Sequence, residues 1–206
     1  MAATAKKAIT CIVFLALLAF VYVRVGTATL ARSNTLSLLT PLDAMIPLIP
    51  EMVFFYVSVY LFWLPPILLS SFTVREFFRL VFIAGISALL ALVIHYHMPS
   101  AYPRPMLPKD DPLFAMATLR FYYWLDLPNN TFPSTHCIVV ATLLLAMRNR
   151  LTRAYSIAYE MWGALIFAST VLVKQHYLVD VLGGIILATI IFLLLRSTPR
   201  SSQAYS

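Results

Sequence analysis

Ser169 Thr170 Val171 Leu172 Val173 Lys174 Gln175 His176 Tyr177 Leu178 Val179 Asp180 sets a lysine, a histidine and an aspartate where two apolar runs meet, about Ile157 to Val173 and about Tyr177 to Leu195. Charge in such surroundings is costly, so each of these groups requires a partner or a task. His176 and Asp180 are four apart. On a helix that spacing puts both side chains on one face, where the carboxylate accepts the proton of one imidazole nitrogen and fixes the tautomer. The other nitrogen is then free to act as a base or a nucleophile. A buried ion pair that only fixes packing has the same spacing, and the rest of the chain has to separate the two readings.

Apolar runs recur on either side of this stretch. Of the 206 residues 61% are hydrophobic and 11% charged, and the mean hydropathy is +0.86. A soluble domain carries about 25% charged residues, so this composition takes the bilayer as its solvent. At roughly 20 residues per crossing, the expectation is an all-α polytopic membrane protein with six transmembrane helices in a bundle, forming one domain over 1–206. The first run follows Lys6 and Lys7, from Ala8 to Val23, and reads as a retained helix rather than a cleaved leader because no small-residue cleavage site follows. Thr40 Pro41 Leu42 Asp43 reads as a helix cap lying flat at the interface. The second run, about Pro50 to Ser71, carries Pro65 and Pro66, which should kink it. The third, about Phe77 to Ile94, ends in His95 and His97. The fourth begins at Pro133 and reaches Arg148 too soon for a full crossing, which recesses His136 below the surface. The last two flank the opening stretch, and Gly183 with Gly184 permits close helix contact in the sixth.

The net charge of +7 raises nucleic acid as a partner, but the basic residues stand at helix ends rather than in one patch. Lys6, Lys7, Arg75, Arg79, Arg148, Arg150, Arg153, Arg196 and Arg200 share one side. Arg24, Arg32, Arg104, Lys109, Arg120 and Lys174 take the other. The positive-inside rule then makes both termini cytoplasmic and sets the opening stretch on the outer face. Cys11 and Cys137 lie inside apolar runs and support neither a disulfide nor a metal site. The partners expected are the bilayer and a lipid, with the oligomeric state left open.

Residues 98–132 form one long connection rich in proline and charge, and a connection of that length in so short a chain carries function. Three polar clusters meet on the outer face: His97 with Tyr102 Pro103 Arg104 Pro105; Pro133 Ser134 Thr135 His136; and the opening stretch. Two histidines, a carboxylate, a guanidinium and an ammonium together make an anion site with acid and base attached. Phosphate suits it, because Arg104 offers a planar fork and the first amides of the fourth helix point the same way, with Ser134 adding its own hydroxyl and amide.

In these residues the chain resembles the phosphatidic acid phosphatase type 2 and haloperoxidase superfamily, whose motifs read KxxxxxxRP, PSGH and SRxxxxxHxxxD. Here they stand as His97, six residues, Arg104 Pro105; as Pro133 Ser134 Thr135 His136; and as Ser169 Thr170, five residues, His176, three residues, Asp180. Each is weak alone, and the three in order are specific. The resemblance covers roughly 40–195, with its motifs within about 95–185. The family's lysine, glycine and second arginine are replaced by His97, Thr135 and Thr170. Asp126, the run Asn130 to Ser134 and the run Lys174 to Tyr177 resemble the branch holding inositolphosphorylceramide synthases and their bacterial relatives.

The resemblance implies a membrane lipid phosphatase acting on a lipid phosphate or pyrophosphate without metal or cofactor. His176 is then the nucleophile that forms a phosphohistidine, Asp180 orients it, and His136 is the general acid and base. Arg104, Ser134, Thr135, Lys174 and His97 hold the phosphoryl oxygens, with Lys174 replacing a missing cation. A phospholipid-headgroup phosphotransferase, inositolphosphotransferase-like, is the alternative, and a noncatalytic lipid-binding membrane protein is a second. His95 reads as a structural residue at the interface, Asp126 as a cap that orders the loop, and Tyr122, Tyr123, Trp124 and Tyr177 as an aromatic belt that also lines a lipid entry. Glu160 calls for a basic partner from the preceding loop. Asn129 Asn130 Thr131 is a glycosylation sequon expected to stay unmodified.

Overall fold

The computed structural model describes residues 2–32 and 34–196; Arg200, counted above with the basic side, lies outside them. In chain order come α1 (Ala2–Thr29), the short α2 (Pro41–Met45) and an irregular span, Pro50–Leu68, in which α3 (Val53–Val57) and α4 (Leu64–Leu68) are joined by a 3-10 stretch. Then follow α5 (Val74–His97), α6 (Phe114–Leu125), α7 (Thr135–Met147), α8 (Arg153–Leu172) and α9 (Leu178–Leu195). Among the described residues, β-pairing is confined to isolated bridges, Leu36 with Ser100 and Ala101 with Asn129.

Four segments are long and apolar enough to cross a membrane: Ala2–Thr29, Pro50–Leu68, Val74–His97 and Leu178–Leu195. The all-helical character of a membrane protein therefore holds, while two of the six expected crossings fall short of that measure. α7 has 13 residues, about 20 Å at 1.5 Å per residue against about 30 Å of hydrocarbon. α8 has the length, 20 residues, but its first half carries Arg153, Tyr155, Ser156, Tyr159 and Glu160.

The prolines break the regular α-helix of the second span by tightening it. Pro65 and Pro66 lack N–H groups, so the carbonyls one turn earlier lose their helical donors and Ser58–Trp63 winds as 3-10 helix. The freed carbonyl of Phe62 accepts the Tyr159 hydroxyl at 2.8 Å. The span stops at Leu68, and α5 restarts behind a capping box in which Thr73 Oγ1 accepts from Glu76 N–H at 3.2 Å and Glu76 Oε2 from Thr73 N–H at 2.8 Å.

α1 extends past both expected limits and is tied to the bundle at each end. Near its start the buried Lys7 ammonium donates to the carbonyls of Pro66 (3.2 Å), Leu69 (2.9 Å) and Phe72 (3.1 Å), taking up acceptors left where the second span ends. Near its other end Asn129 Nδ2 donates to Gly26 O at 2.9 Å and Thr29 Oγ1 at 2.7 Å. The sequon asparagine is thus buried with its amide engaged, which leaves no room for a glycan. Lys7, Glu76, Arg150 and the Leu195 carbonyl gather at one end of the bundle, where Arg150 meets Glu76 at 2.5 Å and Arg79 donates to Leu195 O. Glu160, for which a basic partner was expected, instead accepts from Ser156 Oγ at 3.1 Å, one turn away on its own helix.

α9 packs on the start of α7 through its glycines. A Cβ at Gly184 would stand 2.6 Å from the Ser134 carbonyl oxygen and 3.0 Å from Cys137 Cβ, and one at Gly183 would stand 2.5 Å from the Phe132 ring. Backbone cannot turn aside, whereas a ring can. Gly184→Val is therefore expected to destabilise the fold by about 1–3 kcal/mol or more, with Gly183→Ala milder, as read by melting in detergent. Equal losses at the two positions would contradict this packing.

One loop expectation changes, and one gains a second partner. Residues 98–132 contain a helix, α6, because the prolines flank 113–127 rather than interrupt it; Ala115, Met116 and Leu119 form its buried face. α2 is capped as expected, exposes Leu42 and Met45, and buries Asp43. Asp43 is 2% exposed; its Oδ2 accepts from Thr40 N–H at 2.8 Å and its Oδ1 from Leu178 N–H at 2.8 Å, so one carboxylate caps both α2 and α9.

Candidate functional site

His176 lies in the turn between α8 and α9, not on a helix face shared with Asp180. Lys174 takes a left-handed φ of 56°, and the amides of Gln175 and His176 both donate to Thr170 O, at 3.1 and 3.0 Å. This reverses the chain after α8. α9 then starts with Asp180 Oδ2 accepting from Tyr177 N–H at 2.8 Å. His176 Nδ1 stands 3.5 Å from Asp180 Oδ2 but only 3.0 Å from the Thr131 carbonyl. A carbonyl accepts and never donates, so Nδ1 carries the proton and Nε2 is the nitrogen left for chemistry. Tautomer selection, assigned to Asp180 from spacing, thus falls first to Thr131.

Thr131 is fixed in turn. Ser100 Oγ accepts from Thr131 Oγ1 and from Phe132 N–H, both at 2.8 Å, and His95 Nε2 donates to Pro133 O at 3.0 Å. Ser134 caps α7 by accepting from Cys137 N–H at 3.4 Å, and its own amide donates to Asp180 O at 3.0 Å. The two histidine-bearing segments are therefore bolted together at their helix starts. The imidazoles of His136 and His176 lie with centroids 6.3 Å apart.

His136 and Thr135 also line a cavity of about 340 Å³ between α1, the Pro50–Leu68 span, α6 and α7. Its polar groups include Tyr22, Tyr56, Tyr60, Tyr122 and Asp126. Leu15, Leu18, Ala19, Val23, Val59, Trp63 and Val139 form the apolar wall toward the middle of the bundle.

Arg104 closes the site on the loop side. Its guanidinium donates to the carbonyls of Tyr123 (3.0 Å), Asp126 (2.5 Å) and Leu127 (3.1 Å) and to Gln175 Oε1, lies 3.9 Å from Asp126 Oδ2, and sits 4.8 Å above the Tyr123 ring. Burial pushes the Asp126 carboxyl above its ordinary pKa, and Arg104 pulls it back.

A family model described as the PAP2 superfamily matches residues 76–203 of this chain. The chain belongs to the PAP2 superfamily. No curated protein matches it. The superfamily contains phosphatases, which sets phosphoric-ester chemistry as the activity at that level. The match starts later than the resemblance to 40–195 and leaves α1 and the Pro50–Leu68 span outside it.

Of the PAP2 motif positions, the structure brings together His136, Thr135, Ser134, His176 and Asp180, with Arg104 beside them through Gln175. His97 is not among them: it is exposed at the end of α5, edge-on to Tyr96. Lys174 is turned away as well, because its ammonium donates to the carbonyls of Asp43 (3.3 Å) and Ile46 behind α2. The left-handed turn that delivers His176 to the site sends the side chain two residues earlier elsewhere. The amide and the hydroxyl oxygen of Ser134 are engaged in holding helices, so the amides of Thr135 and His136 are the ones left at the α7 start.

Sequence reasoning passed over Thr131, whose contribution is a backbone carbonyl and so carries no side-chain signal. It also passed over Tyr56, an aromatic in an apolar run. His95 is buried beside Pro133 rather than interfacial, and two of the belt aromatics have partners within the protein: Tyr177 is 0% exposed and stacked on Tyr102 at 4.4 Å, and the half-buried Tyr123 donates to Val173 O at 2.7 Å. Tyr122 lines the cavity, and Trp124 is exposed.

Proposed function

We propose that this PAP2 chain is a membrane lipid phosphatase that hydrolyses a lipid phosphate or pyrophosphate through a phosphohistidine on His176. The observation that carries the reading is the pair of imidazoles 6.3 Å apart, one with its Nδ1 proton engaged and the other lining a largely apolar cavity. That separation leaves space for one phosphoryl group between them. His176 Nε2 attacks phosphorus; the N–P bond forms as the P–O bond to the lipid breaks, and His136 gives its proton to the departing oxygen. His136 then takes a proton from water, which attacks phosphorus and releases phosphate and free His176. Asp180 stabilises the ring while it carries positive charge. Arg104 Nε, buried without a hydrogen-bond partner among the described residues, and the amides of Thr135 and His136 hold the phosphoryl oxygens. The apolar wall suits a hydrocarbon chain.

In this reading α7 and α8 cross together with the four long segments, giving six spans. The basic end with Lys7, Arg79 and Arg150 is cytoplasmic and the site faces the opposite side, as the charge bias supports. The test is inorganic phosphate release by detergent-purified protein from phosphatidic acid, phosphatidylglycerol phosphate, undecaprenyl pyrophosphate and sphingosine phosphate. Release from at least one is expected. Folded protein that frees phosphate from none, yet moves a phospho-headgroup onto an added alcohol, would replace hydrolysis with transfer.

A further inference from the structure

Tyr56 lies outside the residues that match the superfamily, yet it is in direct contact with a histidine of the site. Its ring stacks on the His136 imidazole with centroids 4.3 Å apart and planes 24° from parallel. The side chain is buried and held by two partners. It is 1% exposed, Tyr122 meets it edge-on at 6.1 Å, and its hydroxyl donates to Asp126 Oδ2 at 3.3 Å. Asp126 is itself held beside Arg104. A ring so fixed restricts the plane of whatever lies flat against it. His136 needs that restriction, because it stands in the first turn of α7, and proton transfer requires its nitrogen within about 2.6–3.2 Å of the oxygen it serves.

We infer that Tyr56, anchored through its hydroxyl by Asp126, is a positioning residue that sets the plane of the His136 imidazole for protonation of the leaving oxygen. This rests on the phosphatase reading above. It assigns a part in catalysis to the Pro50–Leu68 span, which supplies no motif residue. As the N–P bond to His176 forms and the ester P–O bond breaks, an alkoxide must take up a proton from His136. A nitrophenolate leaves without one. Loss of positioning therefore slows the first step for an alkyl ester and spares it for an activated aryl ester, whereas damage to the fold slows both.

The experiment is single-turnover release of the leaving group from dodecyl phosphate and from a nitrophenyl phosphate bearing a dodecyl chain. It compares wild type, Tyr56→Leu, Tyr56→Phe and, as the reference pattern, His136→Ala. On dodecyl phosphate, Tyr56→Leu should lose about 10²-fold, and Tyr56→Phe, which keeps the stack but not the bond to Asp126, about tenfold. Both should stay within about twofold of wild type on the aryl ester, where no general acid is needed. Equal losses on the two esters, or none on dodecyl phosphate, would overturn the inference. If Tyr56→Leu does not fold, Tyr56→Phe, which keeps the ring, decides by the same comparison. Wild type that is folded but releases neither leaving group, and frees no phosphate from the four lipids above, would overturn the phosphatase reading itself, a result distinct from an active wild type with unaffected variants.

Discussion

His176→Ala should lower lipid phosphate hydrolysis by on the order of 10⁴- to 10⁶-fold, the scale on which loss of a covalent nucleophile is felt. The substitution removes the atom that forms the bond to phosphorus, and nothing else at the site replaces it, since His136 faces the leaving group. It is expected to leave the fold in place. The ring makes one hydrogen bond, to the Thr131 carbonyl at 3.0 Å, while the turn around it is held by backbone bonds to Thr170 and by Asp180 on Tyr177. Phosphate release and trapping of labelled phosphoprotein, acid-labile and stable to alkali, check the two halves of the claim. Survival of either in a folded His176→Ala variant would rule this nucleophile out. Asp180→Asn provides a sharper comparison. Where a carboxylate alone sets the tautomer of a catalytic histidine, its conversion to the amide costs about 10⁴-fold. Here the Thr131 carbonyl is the nearer partner of Nδ1, so the loss should fall well below that figure.

Arg104→Ala should cost both stability and activity. Its guanidinium ties the carbonyls of Tyr123, Asp126 and Leu127 to Gln175, next to His176, and lies beside the Asp126 carboxylate. The side chains of Arg104 and Asp126 are only 9% and 17% exposed, so truncation leaves a mostly buried carboxylate without its cation and takes a donor from three carbonyls. Removing one member of a buried pair typically costs about 3–5 kcal/mol. Melting of the detergent-solubilised variant should show that loss, with phosphate release falling alongside. Arg104→Lys should recover part of the stability and little of the activity, because an ammonium cannot reach several acceptors in one plane. A fully stable Arg104→Ala variant with only a raised KM would mark Arg104 as a substrate contact and nothing more.

Much of the candidate site could be read from residue type and spacing. Composition selected helices, since only helices and closed barrels satisfy the backbone within lipid. The three motifs, in order, marked His136, His176 and Asp180 within residues that the superfamily match covers. The early arrival of Arg148 announced the short α7, and Gly183 with Gly184 announced the close packing of α9. The expectations that failed share a physical cause. Lys174 and His97 were assigned to phosphate by charge and motif position, but where a long side chain points depends on the backbone turn that carries it. A φ of 56° at Lys174 and the exposed end of α5 at His97 direct both elsewhere.

Residue type and spacing by themselves therefore determined which residues carry reactive groups and in what order along the chain. Tertiary structure alone decided how those groups are tuned, because tuning comes from partners far away in sequence. The Thr131 carbonyl selects the His176 tautomer across a separation of 45 residues, and Tyr56 lies on His136 from a span outside the family match. A carbonyl has no side-chain identity to read, and an aromatic in an apolar run looks the same whether it faces lipid or an imidazole. Only the packing of α7 against α9 and of the Pro50–Leu68 span against α6 tells them apart.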